Sequence, residues 1–410
     1  MLGWEYPPLV TGGLGPACKG ITEGLASHDV RVLFVVPRAS GSTSEGNVEV
    51  VDCNEYLGAP VQPPSAPRPA RKLDVLGVDS PLRPYQRPEQ YVQEQEAPGS
   101  GFSGGYGPNL FAEVERYAEV VAERVEGEDF DLIHAHDWMT FPAALRIQAR
   151  TKKPLVCHIH ACEFDRSADN VDERILEIER AGLAAADRVV SVSRYSCDRL
   201  HRHYEVPEDK LRVVHNAIDG PATNGRSNRT PKNGGAPMVL FLGRVTAQKG
   251  PGFFLDAARQ ILLTDPDVRF VISGTGDLLP SMVEYAAELG LGRQVRFTGY
   301  LTDEEVEEVY GMADLFVLSS VSEPFGLTPL EALVRDVPVI VSRQSGVAEV
   351  LATCPKYDYW DTASLADKAR TLLRSPGLRR QLAKAGQLEV SNMRWEKRAK
   401  TLLNVYRELV

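Results

Sequence analysis

No run of basic residues, no apolar stretch of membrane-spanning length and no secretory leader marks this chain of 410 residues. The formal net charge is −10, and without a cationic run that argues against nucleic acid as a main partner. A membrane-crossing helix needs about 20 apolar residues in succession, and none is found, so no membrane span is expected. Met1 opens no leader pattern. Cysteine is scarce: Cys18, Cys53, Cys157, Cys162, Cys197 and Cys354 are scattered, mostly in apolar contexts. That excludes a disulfide scaffold and reads as reduced thiols in a cytoplasmic protein. The sequon Asn228-Arg229-Thr230 is then a chance match. No internal repeat of short fixed period occurs, which removes the solenoids.

What is present is alternation. The length exceeds what one core holds, so two domains of roughly 200 residues are expected. The opening Met1 to Pro8 reads as a strand tail running into a loop, with only a residue or two of that strand present. Strands at 30–36, 131–135, 155–159, 188–192 and 213–218 are spaced by helical patterns at 109–126, 171–186 and from Tyr195. A second series follows, with strands at 238–242, 268–273, 295–298, 315–318 and 337–341 and helices at 362–374 and 377–388. Alternation of this kind predicts α/β architecture with doubly wound parallel sheets. Residues 40–105, rich in Pro, Gly, Ser and charge, read as a long surface insertion with one strand-like piece near Leu73. Residues 219–236 are the best interdomain linker. The expected domains are therefore 1–218, 237–392 and a last amphipathic helix within 393–410.

Three stretches carry chemistry. The apolar run Leu315 to Leu318 leads into Val321-Ser322-Glu323-Pro324-Phe325-Gly326-Leu327-Thr328-Pro329-Leu330-Glu331, a strand–loop–helix edge of the kind where open α/β sheets bind ligands. The amides of Gly326, Leu327 and Thr328 lie where a helix N-terminus would greet an anion. Glu323 and Glu331 straddle the turn, either as ligand acids or as solvated acids favoured by the helix dipole. Gly243-Arg244-Val245-Thr246-Ala247-Gln248-Lys249-Gly250 brings a guanidinium fork and a movable ammonium to a strand end, where a diphosphate would lie. A solvated basic loop is the alternative. Thr11-Gly12-Gly13-Leu14-Gly15 precedes a helix and permits close backbone approach to a phosphate, or is an ordinary strand–helix turn.

Four histidines fall in two pairs, His134 with His136 and His158 with His160, at strand ends where period-2 spacing aims each pair to one face. His-x-His pairs raise a rival class, a metal-dependent hydrolase. The nearby acids lack metalloenzyme spacing, so no metal is assigned.

The Glu323 to Glu331 spacing resembles the Glu-x7-Glu signature of retaining nucleotide-sugar glycosyltransferases of the GT-B fold, and the Arg244/Lys249 loop resembles that family's basic pair. Within it the glycogen- and starch-synthase-like group is the nearest in pattern. His136-Asp137-Trp138 and His160 match its cleft residues. Glu163-Phe164-Asp165-Arg166-Ser167 is similar to a His-x-x-Glu-Tyr-Asp-Arg-Ser segment of archaeal and bacterial members, with Phe164 in place of Tyr. The match is close from Arg244 through Glu349-Val350, and absent over 40–105 and 219–236.

The resemblance implies two Rossmann-like domains facing a cleft, with the last helix crossing back to the first. It implies that Glu323 contacts the donor sugar's hydroxyls and that Glu331 holds the nucleotide ribose. Gly12, Gly13 and Leu14 would face the diphosphate, with the base near Tyr300. His160 and Asp137 would position the sugar, with His136, Trp138, Glu163 and Arg166 on the acceptor side. Arg244 and Lys249 would stabilise the leaving phosphate, making a divalent metal unnecessary. The expected function is transfer of glucose, or another hexose, from UDP- or ADP-glucose to an α-glucan-like acceptor. The alternatives are the same chemistry on a small acceptor, as in sucrose-phosphate or trehalose synthases, and a sugar-nucleotide-binding protein without turnover. The partners are thus a nucleotide-sugar and a carbohydrate acceptor.

Overall fold

Runs such as Val-Leu-Phe-Val-Val at 32–36 and Met-Val-Leu-Phe-Leu at 238–242 have no polar alternate positions. A strand of that composition must be covered on both faces, the condition of a parallel sheet flanked by helices. The computed structural model describes residues 1–7, 13–28, 30–37, 48–52, 73–77, 110–167, 170–218 and 235–410. It divides the chain into two compact units: Met1–Val192 with Cys197–Ala217 and Trp395–Val410, and Ser193–Ser196 with Ile218–Arg394.

The chain runs through α1 (Leu14–Ala26), β1 (Val32–Val36), β2 (Val48–Asp52), β3 (Leu73–Gly77) and α2 (Leu110–Arg124). It continues with β4 (Ile133–His136), α3 (Phe141–Thr151), β5 (Leu155–Ile159), α4 (Glu163–Ser167), α5 (Glu173–Ala185), β6 (Arg188–Ser191), α6 (Arg194–Tyr204) and β7 (Leu211–Val213). All pairings are parallel, in the orders β1-β3-β2 and β4-β5-β6-β7. Leu2 bridges the two groups, pairing in parallel with Val35 and with Ala135. The chain's opening thus lies where the strand order reverses.

Two expectations change here. Within the 40–105 insertion both β2 and β3 join the sheet, and β3 lies between β1 and β2. The five residues of β2, Val-Glu-Val-Val-Asp, carry three valines but are too short to stand out from the polar sequence before them. The strand expected at 213–218 instead lies at Leu211–Val213. Most of the insertion and residues 219–234 of the linker lie outside the described residues.

The second unit holds β8 (Met238–Leu242), α7 (Pro251–Leu262), β9 (Arg269–Ser273), α8 (Leu279–Glu288), β10 (Val295–Gly299), α9 (Asp303–Met312), β11 (Leu315–Leu318), α10 (Thr328–Val334) and β12 (Val339–Ser342). It closes with α11 (Val347–Val350), β13 (Lys356–Tyr357), α12 (Thr362–Arg374) and α13 (Pro376–Ser391). Its parallel sheet has the order β10-β9-β8-β11-β12-β13. The order reverses between β8 and β11, the place where such sheets bind ligands beyond the strand ends. Both the Arg244/Lys249 loop, after β8, and the Glu323 loop, after β11, leave from that point.

The last helix, α14 (Trp395–Tyr406), belongs to the first unit and packs along α1. The approach is close because α1 presents glycines: a Cβ on Gly20 would lie 2.3 Å from the Trp395 ring, and one on Gly24 2.8 Å from the Ala399 Cβ. Glu408, just beyond α14, accepts from Arg188 of β6 and Arg212 of β7. These guanidinium hydrogen bonds hold its carboxyl down to about 2. Gly20→Val should therefore overpack this contact and cost about 1–3 kcal/mol, read as a lower urea midpoint at unchanged slope. An unchanged midpoint would mean the helix pair has slack.

Candidate functional site

In the second unit the basic loop and the acidic loop are stitched together. Lys249 and Glu323 form an ion pair through the lysine ammonium and Glu323 Oε2. The same carboxylate oxygen accepts from Ser320 Oγ at 3.0 Å. The backbones lock alongside: Ser319 Oγ donates to Lys249 O at 3.1 Å and Val321 N–H to Gln248 O at 2.9 Å. Gly250 completes the turn at φ +62°, and a Cβ there would stand 2.2 Å from Ser319 O. Only glycine meets both conditions. Glu323 is 6 % exposed, so its charge needs the counter-ion and the hydroxyl it has. Arg244 is exposed, and its Nη2 donates to Gln248 Oε1 at 3.2 Å.

The loop behind them is held by a second pair of glycines that sequence reading passed over. A Cβ on Gly274 would meet Gly243 O at 2.0 Å, and one on Gly276 would meet Val245 O at 2.3 Å. Val245 N–H also donates to Thr275 O at 2.8 Å. Gly274-Thr275-Gly276 follows β9 directly, and that G-x-G after a strand was the available signal.

Glu331 sits on α10, half-buried, and accepts from the buried Tyr310 hydroxyl at 3.1 Å. Burial pushes its carboxyl above the usual value, against the opposing Arg335 guanidinium. Tyr310 also donates to Thr328 O at 3.2 Å, tying α9 to the start of α10. Glu331 N–H donates to Leu327 O at 3.0 Å. The amides of Gly326, Leu327 and Thr328 therefore precede the first turn's own bonds. Gly326 stands at φ +98°. Tyr300 is 77 % exposed beyond β10. Tyr310 had no local sequence signal, since its link to Glu331 is tertiary.

In the first unit the four histidines meet inside the sheet. His134 Nδ1 pairs with the Tyr406 hydroxyl at 2.5 Å and His134 Nε2 with His158 Nδ1 at 3.2 Å. His136 Nδ1 pairs with His160 Nε2 at 3.0 Å. The rings of His134 and His136, and of His158 and His160, stack at 4.3 Å between centroids. Burial holds all four imidazoles below their ordinary value, with Asp137 opposing the effect at His160. Among the described residues, Cys18, His136 and His160 form one group with candidate metal-ligating atoms within 4.8 Å of one another, and His134, His136 and His158 a second. These are zinc-type ligands. His134 Nε2 and His158 Nδ1, and His136 Nδ1 and His160 Nε2, are taken up by each other, whereas His136 Nε2 and His158 Nε2 are buried with no hydrogen-bond partner among the described residues.

Asp137 occupies φ +61° and ψ 167°, a conformation that costs a non-glycine residue about 1–3 kcal/mol. Its Oδ1 accepts from His160 N–H at 2.7 Å and Ala161 N–H at 3.4 Å. The strained aspartate thus fixes the backbone that presents His160. Gly13 caps α1, and Gly15 N–H donates to Glu5 Oε2 at 3.2 Å, so a protein carboxylate already stands at that helix start. Leu14 is a core side chain, leaving its amide as the group that can serve. Gly12 lies outside the described residues.

Three expected acceptor-side residues have partners inside the first unit. Trp138 is 3 % exposed and packs near Phe111, in the core. Glu163 accepts from Arg166 Nε at 3.1 Å, Ser167 Oγ at 2.5 Å and Asp172 N–H at 3.1 Å. Arg166 also donates to Ala161 O and to the buried Glu179, which pairs with the Tyr204 hydroxyl. Glu163 and Arg166 are consumed within the unit and brace the loop after His160. His136 is likewise fully buried.

Residues 225–389 match the family Glycosyl transferases group 1, and residues 74–220 match Glycosyltransferase Family 4. An uncharacterized glycosyltransferase of Methanocaldococcus jannaschii is 26% identical, over 99% of this chain and 97% of its own. A glycogen synthase of Mycobacterium tuberculosis is 25% identical, over 99% and 93%. Among solved structures, sucrose-phosphate synthase from Thermosynechococcus elongatus aligns at TM-score 0.71 and 20% identity, covering 99% of this chain and 95% of that one. Anabaena HepE, solved with UDP-glucose, aligns at TM-score 0.65 and 16% identity, covering 100% and 99%. Residues 225–389 thus match the group 1 glycosyltransferases, and the chain's two parallel-sheet units are those of the GT-B fold.

The histidine cluster sets a pH dependence. The unfolded chain takes up protons on these imidazoles near pH 6.5, whereas the folded chain, with lowered values, does not. Stability is then fully present above pH 6.5 and lost as the pH falls below it, by about 1.4 kcal/mol per pH unit for each histidine. Thermal unfolding between pH 7.5 and 5.5 at fixed ionic strength should show a falling Tm. A flat profile would show that the cluster accepts protons while folded.

Proposed function

We propose that this glycosyltransferase moves glucose, or another hexose, from UDP- or ADP-glucose to an α-glucan-like acceptor with retention of configuration. The observation that carries the reading is the Lys249–Glu323 pair, with Arg244 on the same loop, at the point where the strand order reverses. Glu323 offers a fixed acceptor for the donor sugar's hydroxyls. Arg244 and Lys249 meet the diphosphate, whose charge grows as the glycosidic bond breaks. Glu331, oriented by Tyr310, accepts from the ribose, and Tyr300 meets the base. On the first unit we assign His160 to the sugar, with Asp137 as its positioning residue and the amides at Gly13 and Leu14 to phosphate.

No protein nucleophile is assigned opposite Glu323, so the step is a same-face displacement. The acceptor hydroxyl bonds to the anomeric carbon as the bond to the diphosphate oxygen breaks. The leaving phosphate takes the acceptor's proton, and the sugar passes through an oxocarbenium-like state. Two protein cations make a divalent metal unnecessary. Activity should survive EDTA and exhaustive dialysis, whereas loss restored by zinc would favour a metal centre on the histidines. The sucrose-phosphate synthase likeness supports a second reading, the same chemistry on a small acceptor. A panel of donors against glycogen and small sugars, read by nucleotide release, separates the two, and product from radiolabelled donor separates both from mere binding.

Single substitutions divide binding from chemistry. Glu331→Ala should mainly raise the donor KM, because the ribose is held equally in the ground and transition states. Arg244→Ala and Lys249→Ala should lower kcat on the order of 10²–10³-fold. Lys249→Ala also strips Glu323 of its counter-ion, so its Tm should fall. Arg244, being exposed, should leave Tm unchanged, which makes it the cleaner kinetic probe. Near-normal kcat in both would reduce the loop to a solvated surface and refute this site.

A further inference from the structure

Of the four tryptophans, Trp4, Trp138 and Trp395 are buried, while Trp360 is 59 % exposed. It is not alone. Its ring stands edge-on to Tyr359 at 4.9 Å between centroids, and Tyr359 stands edge-on to Phe253 at 5.1 Å. The turn that carries them is pinned: Asp361 N–H donates to Asp358 O at 2.8 Å, and the Asp361 carboxylate caps α12 at Ser364 N–H, 2.9 Å away. Gln344 holds it from the side, its Nε2 donating to Asp358 Oδ1 at 2.9 Å and its Oε1 accepting from Tyr359 N–H at 3.3 Å.

This aromatic row is continuous with the donor-side loops. Gln344 O accepts from Glu323 N–H at 2.9 Å. Phe253 lies on the first turn of α7, three residues past Gly250, whose missing Cβ would come within 3.2 Å of the Phe253 ring. The rim is polar and planar: Asp358 and Arg343 have side chains 39 % and 58 % exposed and approach to 4.0 Å. A pyranose has the complementary chemistry. Its face of polarised C–H groups sits on the electron-rich face of an aromatic ring. Its edge hydroxyls meet carboxylate and guanidinium forks. A protein partner would ask for a broader apolar area with charge excluded from its centre.

We propose that Trp360, with Tyr359, Asp358 and Arg343, is a docking shelf for sugar units of a glucan chain away from the one being extended. The proposal rests on the transferase reading above and narrows it: the acceptor is a polymer, held at two places so that its end stays at high effective concentration.

The test is native electrophoresis of the full chain in gels containing glycogen, with kinetics on glycogen and on maltose. Trp360→Ala should bind glycogen about tenfold more weakly, and the glycogen KM should rise in step. Its kcat, donor KM and maltose KM should not move. Trp360→Phe, which keeps a ring face, should retain most of the binding. Equal retardation of wild type and Trp360→Ala overturns the shelf. So does a Trp360→Ala defect that extends to maltose, or one that appears only as a changed sedimentation coefficient, since a second copy would then be the occupant. Wild type that transfers glucose but is not retarded by glycogen refutes the shelf alone. Wild type that is retarded but releases nucleotide from no donor refutes the transferase reading and leaves the shelf standing.

Discussion

A carboxylate and an ammonium held together, largely out of water, set the terms for the second unit. Removing Glu323 from solvent costs several kcal/mol unless its lone pairs are met, and two donors meet them: the Lys249 ammonium and the Ser320 hydroxyl. That pairing demands two loops in register, one from β8 and one from β11. The bonds from Ser319 to Lys249 O and from Val321 to Gln248 O provide it, and Gly250 permits the contact because no side chain fits against Ser319 O. An incoming anion would find Lys249 already fixed in place. It would strengthen a standing arrangement and would not have to order a loose one, which is how preorganised charge becomes useful to a reaction.

The first unit solves the opposite problem. His134, His136, His158 and His160 enter the sheet with their imidazoles held below their ordinary value by burial. Each cross-strand pair shares one hydrogen bond, while His136 Nε2 and His158 Nε2 stay without a partner among the described residues. The last helix takes part in this. Gly20 and Gly24 let α14 lie close on α1, and the same helix carries Tyr406, whose hydroxyl meets His134 Nδ1. Packing at a glycine face and polar satisfaction in the core are therefore one feature. The strain lies at Asp137, whose left-handed backbone costs energy that its bonds to His160 and Ala161 offset. Strain of this kind persists where the surroundings over-determine it.

Much of this was legible in sequence. Unbroken apolar runs give buried parallel strands almost by necessity, and 238–242 and 315–318 were placed to the residue. The Arg244/Lys249 loop and the Glu323 loop were each visible as motifs after a strand, and the structure brings them together. β2 was passed over, because its alternation, Val48-Glu49-Val50, spans only three residues inside a long polar stretch. Tyr310 and Glu5 were not visible either: each matters through a partner distant in sequence, and pattern reads only what is near.

The residues placed on the acceptor side also have structural partners. Trp138, Glu163 and Arg166 lie inside recurrent motifs, and a motif marks a residue that is needed without marking what it touches. The structure supplies those partners. Glu163 is spent on Arg166, Ser167 and Asp172, and Arg166 on Glu163, Glu179 and Ala161 O. Their bonds converge on the segment 160–167, the same segment that Asp137 holds from the other end. In the structure the motif braces the backbone around His160. Arg244 and Tyr300, both exposed, follow β8 and β10, at strand ends where a parallel sheet leaves its loops open to ligand.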